Sequence, residues 1–253
     1  MWANKWCWKL FKKFLESKGY VVCHEIVLPY HRSRVLNKKL GTTGIKHYVQ
    51  SSEYQISAIR KKYDLEKTDF YIVGHSMGGL IVQKLLCKHQ DWFKKAVLLT
   101  PAAPAGIFSL YLSVLRSFFR VMMQWAFWKI PNKLSKKTTI YSMLHTLPKK
   151  SQEEIVKKMG YESGQACAEI GFWPIDQLLH GVPATQLENP GKVLIPILVV
   201  SAEKDRITPA RIGQKIAALF QNAEYVCIPN ACHYSVMEDK EIFQKVLNFL
   251  DSD

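Results

Sequence analysis

Residues Tyr71–Leu80, YIVGHSMGGL, carry the pattern from which the fold can be predicted. The apolar run that ends at Val73 is typical of a buried strand, and the apolar residues after the motif are typical of a helix. Between them lies Gly-x-Ser-x-Gly, which predicts a strand, a sharp turn and a helix, with the hydroxyl of Ser76 pushed outward at the turn. We expect Gly74 and Gly78 there because a side chain at either position would crowd the strained backbone. An ordinary glycine-rich turn with a helix-capping serine is the alternative.

The segments around this motif continue the alternation of strands and helices. The predicted strands are residues 20–28, 70–73, 96–99, 193–201 and 224–228, and the predicted helices are residues 6–19, 45–63, 80–86, 208–220 and 240–250. For the fourth of these helices we expect Thr208 to be the N-cap and Pro209 the first helical residue. This order predicts an α/β fold, a doubly wound, mostly parallel sheet, in a single domain that covers residues 1–253.

Residues 105–187 interrupt the alternation and are predicted to form a helical cap inserted between core strands. From 107 to 130 apolar residues follow helical spacing, with Arg116 and Arg120 on the opposite side, and the two arginines argue against a membrane span. Two roles stay open for this insert. It covers the site as a lid whose apolar face lines an acyl or aromatic pocket, or it is a helix layer that only packs on the core.

Net charge, cysteine spacing and the N-terminal sequence limit the classes of function that we expect. The net charge of +14 is spread over many short lysine pairs, which indicates either a solvated surface or attraction toward anionic lipid or an acidic partner. No motif for reading nucleic acid accompanies the charge. The six cysteines have neither paired nor zinc-type spacing, so we expect reduced thiols, no metal site and a cytoplasmic location. Residues 1–14 lack the continuous apolar core of a signal peptide.

Three residues form a candidate catalytic triad in the chain order Ser76, Asp205, His233. A serine is a weak nucleophile until a base removes its proton, and the base needs an acid to orient it. Each of the three follows a predicted strand, and parallel strands bring such positions to one edge of the sheet. Asp176 and Glu203 are rival acids, but the loop KDRITP that leads into a helix favours Asp205. A histidine in a loop can also be a structural hydrogen-bonding group.

An acyl-transfer site also needs two backbone N–H groups that face the developing oxyanion. The N–H of Met77, directly after the nucleophile, is one candidate. The second normally comes from a loop after an earlier strand, and no strand is predicted before the first helix. His75 is interpreted as a spacer within the turn.

The stretches LGTTGIKHYV, GHSMGGLIVQ, LLTPAAPAGI, YESGQACAEIGFW and VVSAEKDRITPARI resemble the α/β-hydrolase superfamily, and within it a group of bacterial hydrolases of unassigned substrate. The resemblance spans most of residues 40–237 and implies the triad roles given above. Members usually carry a His-Gly pair before a Trp-x-Trp turn; residues 6–8 match that turn, but no His-Gly precedes it in this sequence. By this resemblance the N–H of Met1 is the second oxyanion donor. Either the first strands are missing because the true start lies upstream, which we favour, or a natural short form has a free amine there.

We therefore expect a serine hydrolase that cleaves carboxylic esters with an apolar acyl or aryl part, through an acyl-enzyme and without a cofactor. Thioesters, lactones and amides would use the same groups, whereas a dehalogenase would need a carboxylate at position 76. The expected partner is a small apolar ester, with weak association with anionic membranes. The alternative is a catalytically impaired hydrolase scaffold that acts as a binding or membrane-surface protein.

Overall fold

The computed structural model describes residues 1–20, 23–31, 36–63 and 70–252. In this part of the chain the strands are β1 (Tyr71–His75), β2 (Lys95–Leu99), β3 (Pro131–Asn132), β4 (Glu162–Ser163), β5 (Ile197–Ala202) and β6 (Ala223–Ile228). The α-helices are α1 (Lys9–Glu16), α2 (Ile45–Tyr63), α3 (Met77–His89), α4 (Leu112–Met122), α5 (Lys136–Thr139), α6 (Lys149–Lys158), α7 (Gly164–Gly171), α8 (Trp173–His180), α9 (Ala210–Ala217) and α10 (Lys240–Asp251).

The central sheet has four parallel strands in the order β1, β2, β5, β6. Its register places Val73 opposite Val97 and Val97 opposite Leu198. Because all four strands run the same way, the turns that follow them meet at one edge of the sheet. The side chains of the candidate site lie at this edge.

Helices cover both faces of the sheet, as a doubly wound fold requires. In β2, Val97 and Leu99 belong to the cluster under α1 and α10, whereas Ala96 and Leu98 belong to the cluster under α2, α3 and α9. The strand is buried on both sides, which explains why its sequence is a continuous apolar run rather than an alternating one. The predicted fold class is confirmed.

The insert between β2 and β5 contains α4 to α8, together with one element that the sequence pattern did not indicate. Strands β3 and β4 form an antiparallel ladder of two residues each. The predicted helical run 107–130 is helical from Leu112 to Met122 and then turns at Ala126, whose φ is +53°. Among the described residues, none of the helices combines the length and the apolar character that a membrane crossing requires.

The strand predicted at residues 20–28 is wrong for the residues that the structure describes, 20 and 23–28; residues 21 and 22 lie outside them. The described residues of this run form no strand. Instead, the side chain of Gln55 in α2 accepts from the Val27 N–H at 3.1 Å and donates to the Val27 carbonyl at 2.9 Å. An extended apolar run becomes a strand only where another strand pairs with its backbone, and here a helix side chain takes that place.

The N-cap prediction for Thr208 is also wrong. Helix α9 begins at Ala210, and its N-cap residue is Pro209. Both the N–H and the hydroxyl of Thr208 contact Asp205. The capping-type side chain therefore binds the carboxylate of the preceding loop and not the helix terminus.

Candidate active site

Ser76 occupies the turn between β1 and α3 with φ 55° and ψ −122°, a conformation that residues with a side chain rarely adopt. Its N–H donates to the Leu99 carbonyl at 2.9 Å, and its carbonyl accepts from the Ala102 N–H at 3.0 Å. These bonds to β2 and the loop after it hold the strained turn at the edge of the sheet. The predicted strand–turn–helix around Ser76 is therefore present.

The glycines of this turn differ from the expectation at one position. A Cβ on Gly74 would lie 2.5 Å from the Gly78 carbonyl oxygen, so the expectation of crowding holds there. A Cβ on Gly78 would meet nothing within 4 Å, and the same expectation is wrong for that residue. Gly79 is the second crowded position, since its Cβ would lie 2.8 Å from the Cβ of Pro101. Close approach of β1 and of the loop after β2 to α3 thus requires Gly74 and Gly79.

His233 and Asp205 form a buried pair at the same edge, in the loops after β6 and β5. His233 Nδ1 lies 2.7 Å from Asp205 Oδ2. The other carboxylate oxygen accepts from the N–H groups of Ile207 and Thr208, both at 2.8 Å. Since an ionised carboxylate only accepts, Nδ1 carries the proton, and Nε2 is left as the basic atom.

Thr208 is a residue of the site that sequence reasoning assigned elsewhere. Its hydroxyl oxygen lies 2.9 Å from Asp205 Oδ2, 3.1 Å from the Thr100 carbonyl and 3.3 Å from His233 Nδ1. It therefore joins the acid, the base and the end of β2. The sequence did contain a signal for this role. Thr208 follows Asp205 by three residues, a spacing that allows the hydroxyl to hydrogen-bond the carboxylate.

His75 has a structural contact that its interpretation as a spacer omitted. Its Nε2 lies 3.1 Å from the backbone oxygen of His233, and the two rings are 4.9 Å apart. Burial, followed by the neighbouring His233, lowers the pKa of His75 well below its usual value. A neutral His75 with a protonated Nε2 can donate to that carbonyl and hold the loop of the base.

The structure does not join Ser76 to His233 by a hydrogen bond. Within the described part of the chain, neither Ser76 Oγ nor His233 Nε2 has a hydrogen-bond partner among protein atoms. Hydrogen bonds between a nucleophile and its base are often longer in the free protein and shorten when substrate binds. The arrangement thus has a histidine oriented by a carboxylate and a strained serine at one edge of the sheet.

The rival acids are engaged elsewhere. Asp176 lies 2.8 Å from His180 Nδ1 and accepts from the Ala184 N–H at 2.6 Å. Glu203 accepts from the N–H of Asn230 at 2.7 Å. Of the three carboxylates, the structure brings only Asp205 into contact with His233.

The two expected oxyanion donors differ in how closely the structure links them to Ser76. Met77 is the first residue of α3, so its N–H has no intrahelical acceptor, and no other acceptor for it is found among the described residues. Met1 lines the same cavity as Ser76. The residue after Met1 is fixed through two bonds: the Trp2 N–H donates to Glu162 Oε2 at 3.2 Å, and the Trp2 indole donates to the Asn132 carbonyl at 3.1 Å. These bonds tie the first residues to the β3–β4 ladder.

A second buried acid, missed by sequence reasoning, fixes this segment. Glu162 also accepts from the Tyr48 hydroxyl at 2.8 Å and the Ser163 N–H at 2.8 Å, and lies 3.2 Å from His31 Nε2. Burial alone would raise the pKa of Glu162, but the charge and hydrogen bond of His31, with the other donors, lower it to about 2. No local pattern marks Glu162, since His31 and Glu162 are 131 residues apart.

A cavity opens beside Ser76 between the sheet edge and the insert. It has about 660 Å³ of space not occupied by atoms, part of it open to solvent. Its lining includes Ser76 and Thr208 from the core and Val114, Phe118 and Val121 from α4. None of the described side chains that line it is charged. The part of the chain that the structure describes also has no group of His, Cys, Asp and Glu side chains that could hold a metal ion.

Comparisons with known proteins agree with this architecture. A family model described as the alpha/beta hydrolase fold matches residues 48–240. A proline iminopeptidase from Elizabethkingia meningoseptica is 21% identical over 265 residues, which cover 95% of this chain and 83% of that protein. A methylesterase from Arabidopsis has a TM-score of 0.66 at 15% identity, over 98% of this chain and 94% of that one.

A lipase-esterase related protein from Clostridium acetobutylicum has a TM-score of 0.65 at 16% identity, over 98% of this chain and 90% of that one. At these identities the structural likeness shows the fold. The family match covers most of the chain and includes the turn of Ser76, the loop of Asp205 and the loop of His233. The chain belongs to the α/β hydrolase fold family.

Proposed function

We propose that the protein is a serine hydrolase that cleaves carboxylic esters through an acyl-enzyme. One observation carries the proposal: the strained turn of Ser76 and the buried His233–Asp205 pair stand at one sheet edge, with a cavity lined by uncharged side chains beside the serine. A nucleophile, a base and an acid that orients the base are the groups that acyl transfer requires.

In the first step Ser76 Oγ attacks the ester carbonyl carbon, and its proton moves to His233 Nε2. The carbonyl π electrons move to oxygen, where the Met77 N–H and the Met1 N–H stabilise the oxyanion. Asp205 stays ionised and stabilises the imidazolium through Nδ1. This step requires the serine hydroxyl to rotate onto Nε2, which has no described protein partner.

Collapse of the tetrahedral intermediate breaks the bond to the leaving alcohol, which takes the proton from His233. The acyl group is then bound to Ser76 Oγ. A water molecule gives its proton to His233 and attacks the acyl carbon, and the second intermediate releases the acid and restores the Ser76 hydroxyl. Charges and protons balance without a further reactant.

The cavity favours an apolar, uncharged substrate. Its described lining is aliphatic and aromatic apart from hydroxyl, thiol and thioether groups. A peptide with a charged amino terminus would need an acidic partner there, because a buried unpaired charge is costly. This argues for esters over the substrates that the name of the iminopeptidase relative suggests.

The test compares p-nitrophenyl esters of increasing acyl length with proline p-nitroanilide. We expect turnover of the esters, with longer chains preferred over acetate, and none of the anilide. A Val114→Trp variant fills the cavity and should shift the preference to short chains, whereas Leu112→Trp, on the exposed side of α4, should not. Cleavage of the anilide without cleavage of esters would contradict the proposal. No turnover of either by folded protein would favour the impaired, binding-only scaffold.

A further inference from the structure

Helix α4 is apolar on two opposite faces. Its inner face lines the cavity beside Ser76 with Val114, Phe118 and Val121. On the opposite side Leu112 and Phe119 are 83% and 58% exposed, and Met123 at the helix C-terminus is 69% exposed. Their spacing of seven and four residues places these three side chains together, on what we call the outer face of α4.

Helix α10 has no surface of this kind. Like α4 it packs one apolar face on the core, but the residues that it exposes are Lys240, Glu241, Lys245, Asn248 and Asp251. An exposed apolar face on a helix leaves a driving force for association that a polar face does not. Trp125, two residues beyond the outer face, is also exposed, and tryptophan favours the boundary between water and lipid.

The segment that carries the outer face has charges of one sign. Residues 101–152 contain no Asp or Glu. The basic residues of this range are Arg116, Arg120, Lys129, Lys133, Lys136, Lys137, Lys149 and Lys150. The outer face therefore lies within a stretch of chain that is purely cationic.

Two of these cations lie on α4 itself, and both are exposed; the guanidinium of Arg116 also lies over the Tyr141 ring, 4.3 Å from its centroid. Arg116 follows Leu112 by four residues and so lies on the outer face, and Arg120 follows Phe119 by one and lies beside it. Apolar side chains flanked only by cations along the helix are complementary to a layer of acyl chains under anionic headgroups.

We infer that the outer face of α4 docks on bilayers that contain anionic lipid. Leu112, Phe119 and Met123 enter the boundary between headgroups and acyl chains, and Arg116 and Arg120 contact the headgroup phosphates. A second copy of the chain is a poorer occupant of this face. A symmetric contact through α4 would bring the arginines of both copies together, in molecules that each carry a net charge of +14.

The test is sedimentation of the whole protein with phosphatidylcholine vesicles, with and without phosphatidylserine. We expect binding to the vesicles with phosphatidylserine, weakened by salt. The triple variant Leu112→Ser, Phe119→Ser, Met123→Ser should lose it. The matched control is Ile175→Ser, Leu178→Ser, Leu179→Ser on α8, whose side chains are also exposed, at 54%, 85% and 70%. This control should bind like the parent protein.

A second pair of variants tests the charges. Removing both arginines, Arg116→Gln with Arg120→Gln, should weaken binding roughly 30-fold, because each basic side chain near an anionic membrane strengthens binding about fivefold. Lys215→Gln with Lys245→Gln changes the net charge equally on α9 and α10 and should weaken binding much less. Circular dichroism checks that each variant is folded, and none of these residues belongs to the proposed catalytic machinery.

Three results would overturn the inference. The first is no binding of the parent protein to anionic vesicles. The second is an equal loss in the α4 and α8 variants, which would indicate nonspecific hydrophobic adsorption. The third is dimerisation that the α4 variant abolishes, without vesicle binding, which would assign the face to a second copy. Ester hydrolysis is not needed for any of these measurements, so failure of the proposed function leaves the test intact.

Discussion

Two buried pairs of a histidine and a carboxylate occur among the described residues, and they differ in one respect. His233 lies 2.7 Å from Asp205, and His31 lies 3.2 Å from Glu162. In the second pair both ring nitrogens of His31 are occupied, since Nδ1 lies 2.9 Å from the Pro29 carbonyl oxygen. In the first pair, Nε2 of His233 has no described protein partner, and a strained serine stands at the same edge of the sheet. Burial and pairing are common to both pairs. The difference is that Nε2 of His233 is free among the described residues, which is the feature that a catalytic base requires.

The largest expected effect is a difference in kcat between variants of the two pairs. Asp205→Asn should lower kcat by about 10⁴-fold, because an amide no longer holds the imidazole in the required tautomer. His31→Gln should keep kcat within roughly tenfold, since His31 does not line the cavity. Ester hydrolysis by both purified variants checks this, and a loss in His31→Gln as large as that in Asp205→Asn would remove the distinction.

The next largest effect concerns the free energy of unfolding, to which we expect the His31–Glu162 pair to contribute. His31→Ala leaves Glu162 buried with its charge unpaired, and we expect a loss of about 3–5 kcal/mol in the free energy of unfolding. The double variant His31→Ala, Glu162→Gln should recover part of that loss, because it removes the unpaired charge. Urea unfolding of the three proteins measures both values. Equal stability of parent and His31→Ala would show that the pair is not structural.

The pH dependence of the free energy of unfolding should reveal the contribution of the His31–Glu162 pair. The pKa of Glu162 falls from its ordinary 4.5 to about 2, so its contribution is complete above pH 4.5 and is lost as the pH falls toward 2. Burial opposes a charge on His31, but Glu162 outweighs it and the pKa of His31 is raised. The contribution of His31 is therefore complete below pH 6.5 and is lost as the pH rises through its folded value.

The advantage of the parent protein over Glu162→Gln should therefore be greatest between pH 4.5 and 6.5, by a few kcal/mol, since one pKa unit corresponds to about 1.4 kcal/mol. Urea unfolding at a series of pH values from about 3 to about 8, which extends past both ends of that window, measures the difference. A difference that is constant with pH would show that neither group is responsible.

The smallest effects concern the turn that supplies the serine to the first pair. Gly74→Ala should cost about 1–3 kcal/mol, because the new Cβ would lie 2.5 Å from the Gly78 carbonyl oxygen. Gly78→Ala should change stability by less than about 0.5 kcal/mol, since its Cβ meets nothing within 4 Å. Thermal unfolding of the two variants checks this, and the reverse order would mean that the turn is packed differently.

Much of the site around the His233–Asp205 pair could be predicted from the sequence, whereas nothing of the His31–Glu162 pair could. Ser76, Asp205 and His233 each follow an apolar strand, and the chemistry of acyl transfer limits the residue types and their order. His31 and Glu162 follow no such local rule. They meet only because the segment of residues 29–31 and the β3–β4 ladder pack together, and sequence spacing does not report that contact.

Two incorrect predictions, the strand at residues 20–28 and the N-cap at Thr208, have the same physical origin. An apolar run at 20–28 has the composition of a strand, but strand pairing depends on a neighbour, and Gln55 bonds Val27 instead. The Thr-Pro pair has the composition of a helix start, but Thr208 binds the carboxylate of Asp205. Local composition limits the structures that a segment can form, and long-range contacts determine which of them it adopts.

The most direct test of the central claim is covalent labelling with a fluorophosphonate, followed by intact mass. The probe phosphorus reacts with an activated serine oxygen and releases fluoride, so it tests Ser76 and His233 without knowledge of the substrate. We predict one label on the parent protein and on His31→Gln, and none on Ser76→Ala or His233→Ala. A folded parent protein that takes no label, or a label that persists in Ser76→Ala, would contradict the assignment of Ser76 as the nucleophile.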